Sequence, residues 1–258
     1  MGIIIKSLQE ISLMRQAGRI VAAVLQTLIK EIRPGMKTQE LDAICAQELA
    51  EWGAKPSFKG YHGFPGCLCV SVNEQVVHGI PGERVLHQGD IVSLDLGAIF
   101  QGFQGDAAVT VGIGRISPQA ERLIQVTAEA LMAGIAKAKP GAHLGDISAA
   151  IQLYVESRGL SVVREYTGHG IGREMHEEPQ IPNFGLAGQG PALQTGMALA
   201  IEPMVNLGGW RTRVDADQWT VVTADGSLSA HFEHTIAITD TEPEILTNPP
   251  RGELEHGA

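Results

Sequence analysis

Apolar or small residues recur at Ile11, Met14, Gly18, Val21, Leu25, Leu28 and Ile32, the three-to-four spacing of one helical face. Ser7 and Glu10 form a capping box ahead of that stripe and Arg33-Pro34-Gly35 ends it, so a first helix is predicted between them. A second is predicted from about Thr38 to Trp52, closed by Gly53. The pattern then changes. Short apolar runs, CLCVSV at 67–72 and IVSLDL at 91–96, predict strands, and AAVTVGIG after Asp106 predicts another. Ser117-Pro118 opens a third helix that stops at Lys139-Pro140-Gly141, and a fourth spans about Leu144 to Arg158. From Ser161 onward the chain reads as strand and loop, with GMALAIEP, QWTVV and HTIAIT as its clearest extended pieces.

That order contains an internal repeat. RPGMKTQEL from Arg33 parallels KPGAHLGDI from Lys139, YHGF from Tyr61 parallels GHGI from Gly168, and GDIVSLDL from Gly89 parallels GMALAIEP from Gly196. Three matches in the same order at near-constant spacing are hard to attribute to chance, and the last aligns Asp95 with Glu202. The expected fold class is α+β: two related halves, about 7–112 and 113–240, each with two helices and a sheet segment. They are expected to pack as one unit over residues 1–248 with a site between them. The closing NPPRGELEHGA looks poorly structured, which makes 249–258 an expected disordered tail.

Composition narrows the class. The chain has 258 residues and is 44% hydrophobic, enough for a large core. Its 19 basic and 29 acidic residues give a net charge of -10, which argues against nucleic acid or an anionic membrane as the main partner. Cys45, Cys67 and Cys69 cannot all pair, which fits a reducing compartment. The start MGIIIKSLQE lacks the basic, then long apolar pattern of a signal peptide, and no apolar run approaches membrane-spanning length. A soluble, cytoplasmic protein is expected.

The acid excess has a chemical reading. Asp95 ends a predicted strand and Asp106 begins the next extended segment, with three glycines in LGAIFQGFQG letting the chain double back between them. A single aspartate after a strand is ordinarily a turn residue. Here the repeat places Glu202 in the corresponding position, inside the apolar LAIEP, and Glu233 sits at the edge of HFEHTIAI. Buried carboxylates must be protonated or paired. Arg211 and Arg213 can pair with one or two acids, not comfortably with four. Two divalent cations would cancel four carboxylates. In GHGIGREMHEEP, His169 and His176 stand among glycines that argue against a helix, and His169 would add a neutral nitrogen ligand. Oxygen-rich sites with one imidazole suit Mn²⁺, Fe²⁺, Co²⁺ or Zn²⁺. No HExxH helix, GxSxG elbow, Walker A loop or GxGxxG fingerprint competes with that reading.

Asp95, Asp106, His169, Glu202 and Glu233, set in VNEQVVHGIP, YTGHGIGREMHEEP, MALAIEPM and SLSAHFEHTIAIT, resemble the methionine aminopeptidase family in its bacterial type I form. The resemblance runs from about Ser7 to Thr239. It implies the pita-bread α+β fold, two pseudo-twofold-related halves around a central antiparallel sheet with the metal site between them. It also implies that those five residues bind two divalent ions (Co²⁺, Mn²⁺, Fe²⁺ or Zn²⁺), with Asp106 and Glu233 bridging. Glu202 would shuttle a proton, His176 would reach the substrate carbonyl or tetrahedral intermediate, and His78 would contact the substrate amide. Tyr61, Phe64, Cys69 and Trp219 would line the methionine pocket, with Phe58 and Met175 nearby. The glycines around His169 are expected to let the backbone pass close to the site, and His62 is expected to be vestigial.

The implied activity is removal of the initiator methionine from nascent proteins with a small second residue, a hydroxide bridging the metals attacking the scissile carbonyl. The implied partners are nascent N-termini near the ribosome, met by a monomer that needs no membrane or nucleic-acid surface. A proline-directed relative on the same fold, such as aminopeptidase P or prolidase, usually carries an additional N-terminal domain for which 258 residues leave no room. A binding module that had lost catalysis would not be expected to keep all five ligand positions filled.

Overall fold

Ser7 caps the first helix as its sequence predicts: its Oγ accepts from the Glu10 N–H at 3.3 Å, and Glu10 Oε2 accepts from the Ser7 N–H at 3.0 Å. A computed structural model of the chain describes residues 2–248, so the expected tail at 249–258 lies outside the described residues. Helix α1 spans Leu8–Glu31 and buries Ile11, Met14, Gly18, Val21, Leu25 and Leu28, the stripe read from spacing. Helix α2 is Thr38–Glu51, α3 is Pro118–Ile135 and α4 is Leu144–Glu156. Each of the last two ends a little short of its predicted stop.

The strands, in chain order, are β1 (Lys55–Pro56), β2 (Cys69–Val72), β3 (Gln75–Val77), β4 (Ile91–Phe100), β5 (Phe103–Gly112), β6 (Ser161–Val162), β7 (Thr167–Gly170) and β8 (Glu177–Pro182). They continue with β9 (Ala198–Ile201), β10 (Met204–Asn206), β11 (Thr212–Val214), β12 (Val221–Thr223), β13 (Ser229–His231), β14 (Glu233–Ala237) and β15 (Glu244–Ile245). Nine form one sheet in the order β1-β4-β5-β14-β9-β7-β8, with β2 also on β4 and β15 also on β14. The remaining six make two three-stranded sheets, β13-β10-β6 and β11-β12-β3. Every named pairing is antiparallel, as for β4 with β5 and β14 with β9.

Helix α1 lies on β4 and β5, α2 packs on α1, and α3 and α4 pack on each other. One apolar cluster joins Val21, Leu28, Leu41 and Leu49 to Leu94 and Leu96 beneath α1 and α2. Another joins Leu123, Leu131, Ile147 and Ile151 to Leu199 and Ile236 beneath α3 and α4. Burial of this kind stabilises each large side chain by about 1.5–3 kcal/mol, and it leaves the other sheet face for chemistry.

One connection differs from its sequence reading. The first strand does not end at Asp95, nor does the next begin at Asp106; β4 continues to Phe100 and β5 starts at Phe103. Gln101 and Gly102 alone make the turn, both at positive φ (50° and 79°), as a two-residue hairpin of right-handed twist requires. That tight hairpin fixes the register in which Asp95 opposes Ala108 and Gly97 opposes Asp106.

Candidate metal centre

Opposed residues on neighbouring strands share a face, as do residues two apart on one strand. Cys69 opposes Asp95, Asp95 opposes Ala108, and Ala108 opposes Glu233, so one row crosses β2, β4, β5 and β14. Asp106 stands two residues from Ala108, and Thr235 two residues from Glu233. Thr235 trades hydrogen bonds with the Asp106 backbone, receiving its N–H at 3.0 Å and donating to its carbonyl at 2.8 Å. Thr235 opposes Ala200, which opposes His169, completing a second row across β5, β14, β9 and β7. Ala108 and Ala200 are small, so the space between the rows stays open. Glu202 follows β9 directly, its carbonyl held by Asn183 Nδ2 at 3.1 Å.

Cys69, Asp95, Asp106, His169, Glu202 and Glu233 line one cavity of about 220 Å³. His169 Nε2 lies 3.5 Å from Glu202 Oε1 and 4.0 Å from Asp106 Oδ2. Asp106, His169 and Glu233 offer donor atoms that all lie within 4.8 Å of one another; so do Glu202, His231 and Glu233. Asp95 lines the same cavity beside them. His78, His176, Tyr61, Phe64, Cys69 and Trp219, expected around the substrate, also line it. Phe58, Met175 and His62 complete the wall, so His62 stands at the cavity although its sequence reading gave it no role.

The electrostatics of the cavity favour cations. Asp95 Oδ1, Asp106 Oδ1 and Glu233 Oε1 are buried without a hydrogen-bond partner among the described residues. Arg213 instead pairs with Asp215, and Arg211 lies over the Trp210 ring. Burial raises the Asp95 carboxyl to about 7. It also raises Asp106, Glu202 and Glu233 well above the usual range, with repulsion from neighbouring acids adding to it. The histidines move the other way. Burial first, then the charge of His176, lowers His169 to about 3. His169 is therefore neutral at pH 7, and its Nδ1–H donates to the Gly170 carbonyl at 2.9 Å. That bond leaves the Nε2 lone pair facing the acids, the arrangement that suits a metal ligand. Orphaned oxygens, a correctly held imidazole and a donor set of oxygen and nitrogen fit divalent metal ions.

His231 escaped the sequence reading. It is 1% exposed, both ring nitrogens lack partners among the described residues, and Nε2 lies 3.8 Å from Glu202 Oε2 and 4.0 Å from Glu233 Oε2. A signal existed: it stands two residues before Glu233 in the alternating SAHFEHT. The glycines beside His169 also need a different explanation. A Cβ at Gly168 would lie 2.4 Å from the Ala200 carbonyl oxygen, and one at Gly170 would lie 2.2 Å from that of Glu178. Their absent side chains let neighbouring strands close on β7, and so bring His169 to the acids.

An apolar recess adjoins the acids. The Phe64 and Trp219 rings meet edge to face at 5.2 Å, and Phe58 meets Phe64 at 6.5 Å. Burial, then Asp95, pushes the Cys69 thiol well up, so it remains a neutral apolar surface. His78 adopts φ 60°, a strained setting for a non-glycine residue, and its ring lies 6.5 Å from that of Trp219. Burial first and His176 second lower His78 to about 4. His176 accepts or donates a 2.8 Å hydrogen bond between Nδ1 and the Tyr61 hydroxyl, and its ring lies 4.2 Å from that of His169.

Residues 12–240 match the metallopeptidase family M24. The chain belongs to that family. Methionine aminopeptidase 1 of Bacillus subtilis strain 168 is 56% identical over 245 residues, which cover 95% of this chain and 99% of that protein. The crystal structure of the methionine aminopeptidase from Thermotoga maritima superposes with a TM-score of 0.94 at 50% identity, covering 96% of this chain and all of that one. The prolidase of Pyrococcus furiosus shares the fold at 23% identity and a TM-score of 0.79; the match spans 96% of this M24 chain but 66% of the prolidase. The architecture is the pita-bread fold, with its central antiparallel sheet and four helices.

Proposed function

We propose that this M24 chain is a methionine aminopeptidase, hydrolysing the bond after an N-terminal methionine and preferring a small second residue. The observation that carries this reading is one cavity that joins buried, unpaired carboxylates and a neutral imidazole to an apolar recess. Asp95, Asp106, His169, Glu202 and Glu233 would hold two divalent ions. When bound, such ions polarise a carbonyl and make water acidic enough to react near neutral pH. Co²⁺, Mn²⁺, Fe²⁺ and Zn²⁺ all suit the donors.

The chain's own residues do the rest. Phe58, Phe64, Met175 and Trp219 enclose the methionine side chain, and Cys69 floors the recess. The Glu202 side chain is 13% exposed, against 4% for Asp106 and 2% for Glu233. It is the acid best placed to take a proton from the attacking water and pass it to the leaving amine. Burial raises the Tyr61 hydroxyl, keeping it protonated, and with Tyr61 donating to Nδ1 the proton of neutral His176 sits on Nε2. That N–H then stabilises the developing oxyanion. His78 steadies the substrate amide. The two pseudo-twofold halves, 7–112 and 113–240, belong to this proposal, as do nascent N-termini near the ribosome and a cytoplasmic monomer. Among the described residues, no helix is long and apolar enough to cross a membrane.

His176→Ala is expected to keep both metals while lowering kcat by roughly 10- to 1,000-fold, the range for a lost oxyanion or supporting donor. Metal analysis of the purified variant beside its turnover checks this. Loss of metal would make His176 a ligand instead. The specificity test sets Met-Gly-Met against X-Pro peptides. Methionine release from the former is expected, whereas faster X-Pro cleavage would move the chain to the proline-directed branch.

A further inference from the structure

The segment before α1 grips the bend that carries His176. Lys6 is only 6% exposed, and a buried lysine needs a partner. Its Nζ donates to Glu177 Oε2 at 2.6 Å, with the two side chains 3% and 5% exposed, and to the Ile4 carbonyl at 3.1 Å. The other oxygen of Glu177, Oε1, accepts from the backbone N–H of Arg173 at 3.0 Å and of Glu174 at 3.3 Å. One carboxylate therefore ties Lys6 to the bend on which Met175 and His176 stand.

The grip is tight at both ends. The Lys6 N–H donates to the Gly196 carbonyl at 2.8 Å, and a Cβ on Gly196 would lie 2.7 Å from the Lys6 carbonyl oxygen. A Cβ on Gly172 would lie 2.5 Å from Glu177 Oε1 and 2.7 Å from Lys6 Cε. Gly196 leads into β9, the strand that precedes Glu202. The segment thus bridges the entry to β9 and the His176 bend, two elements of the site that sequence separates by about twenty residues.

We infer that Lys6 is a positioning residue for the hydrolysis: its buried ion pair with Glu177 fixes the bend that presents His176 to the cavity. This rests on the role given to His176 above. Neither Lys6 nor Glu177 lines the cavity, so they act only through the bend. Removing one partner leaves a buried charge alone, and the bend must shift to rehydrate it. A displacement of about 1 Å near reacting groups can lower a rate on the order of 100-fold.

The test uses the full chain loaded with metal. Lys6→Met and Glu177→Gln are each expected to lower kcat on Met-Gly-Met by about 10- to 100-fold with KM changed less than about threefold and metal content unchanged. The double variant is expected to lose no more than the worse single, because both changes break one contact. Independently of turnover, Lys6→Met should shift the His176 ring ¹⁵N resonances and speed amide exchange at Arg173 and Glu174. A kcat within about twofold of the parent, or single effects that multiply in the double, overturns the inference. If Lys6→Met fails to fold, Lys6→Gln keeps an amide donor toward Glu177; a smaller kcat loss is expected there, and none overturns the inference. If the unmodified chain releases no methionine, the hydrolase reading fails. The ring shifts and amide exchange still decide the positioning role, and unchanged values overturn it.

Discussion

Asp106→Asn is expected to leave the chain folded, empty of metal, and slower at methionine release by roughly 1,000-fold or more. Asp106 occupies the row between β5 and β14, and its backbone is held by Thr235 rather than by its own carboxylate. The change therefore spares the sheet. What it removes is an acid whose Oδ1 is buried without a partner and whose carboxyl burial raises well above the usual range. A neutral amide oxygen is a far weaker ligand for a divalent cation than a carboxylate is. Without metal the variant should also be at least as stable as the parent, because an amide is neutral without having to hold a proton in that buried place. Metal analysis, melting curves with chelator and turnover on Met-Gly-Met check all three. Full metal content with full turnover would contradict Asp106 as a metal ligand.

The second large effect is a melting temperature that depends on metal and pH together. Burial raises Asp95 to about 7 and raises Asp106, Glu202 and Glu233 as well. An acid whose folded pKa exceeds its unfolded value binds its proton more tightly in the folded state. Its stabilising contribution is present below about pH 4 and is lost as pH rises through the folded pKa near 7 and above. The metal-free chain should therefore lose stability, on the order of a few kcal/mol, between about pH 4 and 8. Metal binds the ionised, folded form and reverses that loss, so the rise in Tm on loading should grow from pH 5.5 to pH 7.5. A metal-induced shift equal at both pH values would mean that these acids do not hold the ions.

The helices and the acids that the cavity gathers are legible because each rests on local information. The α1 stripe, the Ser7–Glu10 box and the acids lodged in apolar runs are visible within a few residues of chain. What could not be read was register. That Asp95, Ala108 and Glu233 stand abreast depends on a two-residue turn at Gln101-Gly102 and on the meeting of β5 with β14, which are distant in sequence. The same limit hid the reason for Gly168 and Gly170, whose constraint comes from the Ala200 and Glu178 carbonyls of neighbouring strands. His231 is legible by alternation with Glu233. The partnership of Lys6 with Glu177 carries no local signature, because it joins residues 171 positions apart.

Metal-dependent release of free methionine is the most direct measurement. Chelator-treated protein is given Co²⁺, Mn²⁺, Fe²⁺ or Zn²⁺ in turn, the iron under anaerobic conditions, and incubated with Met-Gly-Met. Free methionine should appear with at least one ion, at a rate that saturates with metal and vanishes on renewed chelation. Release that ignores the chelator, or no release with any of the four ions, would contradict a two-metal methionine aminopeptidase.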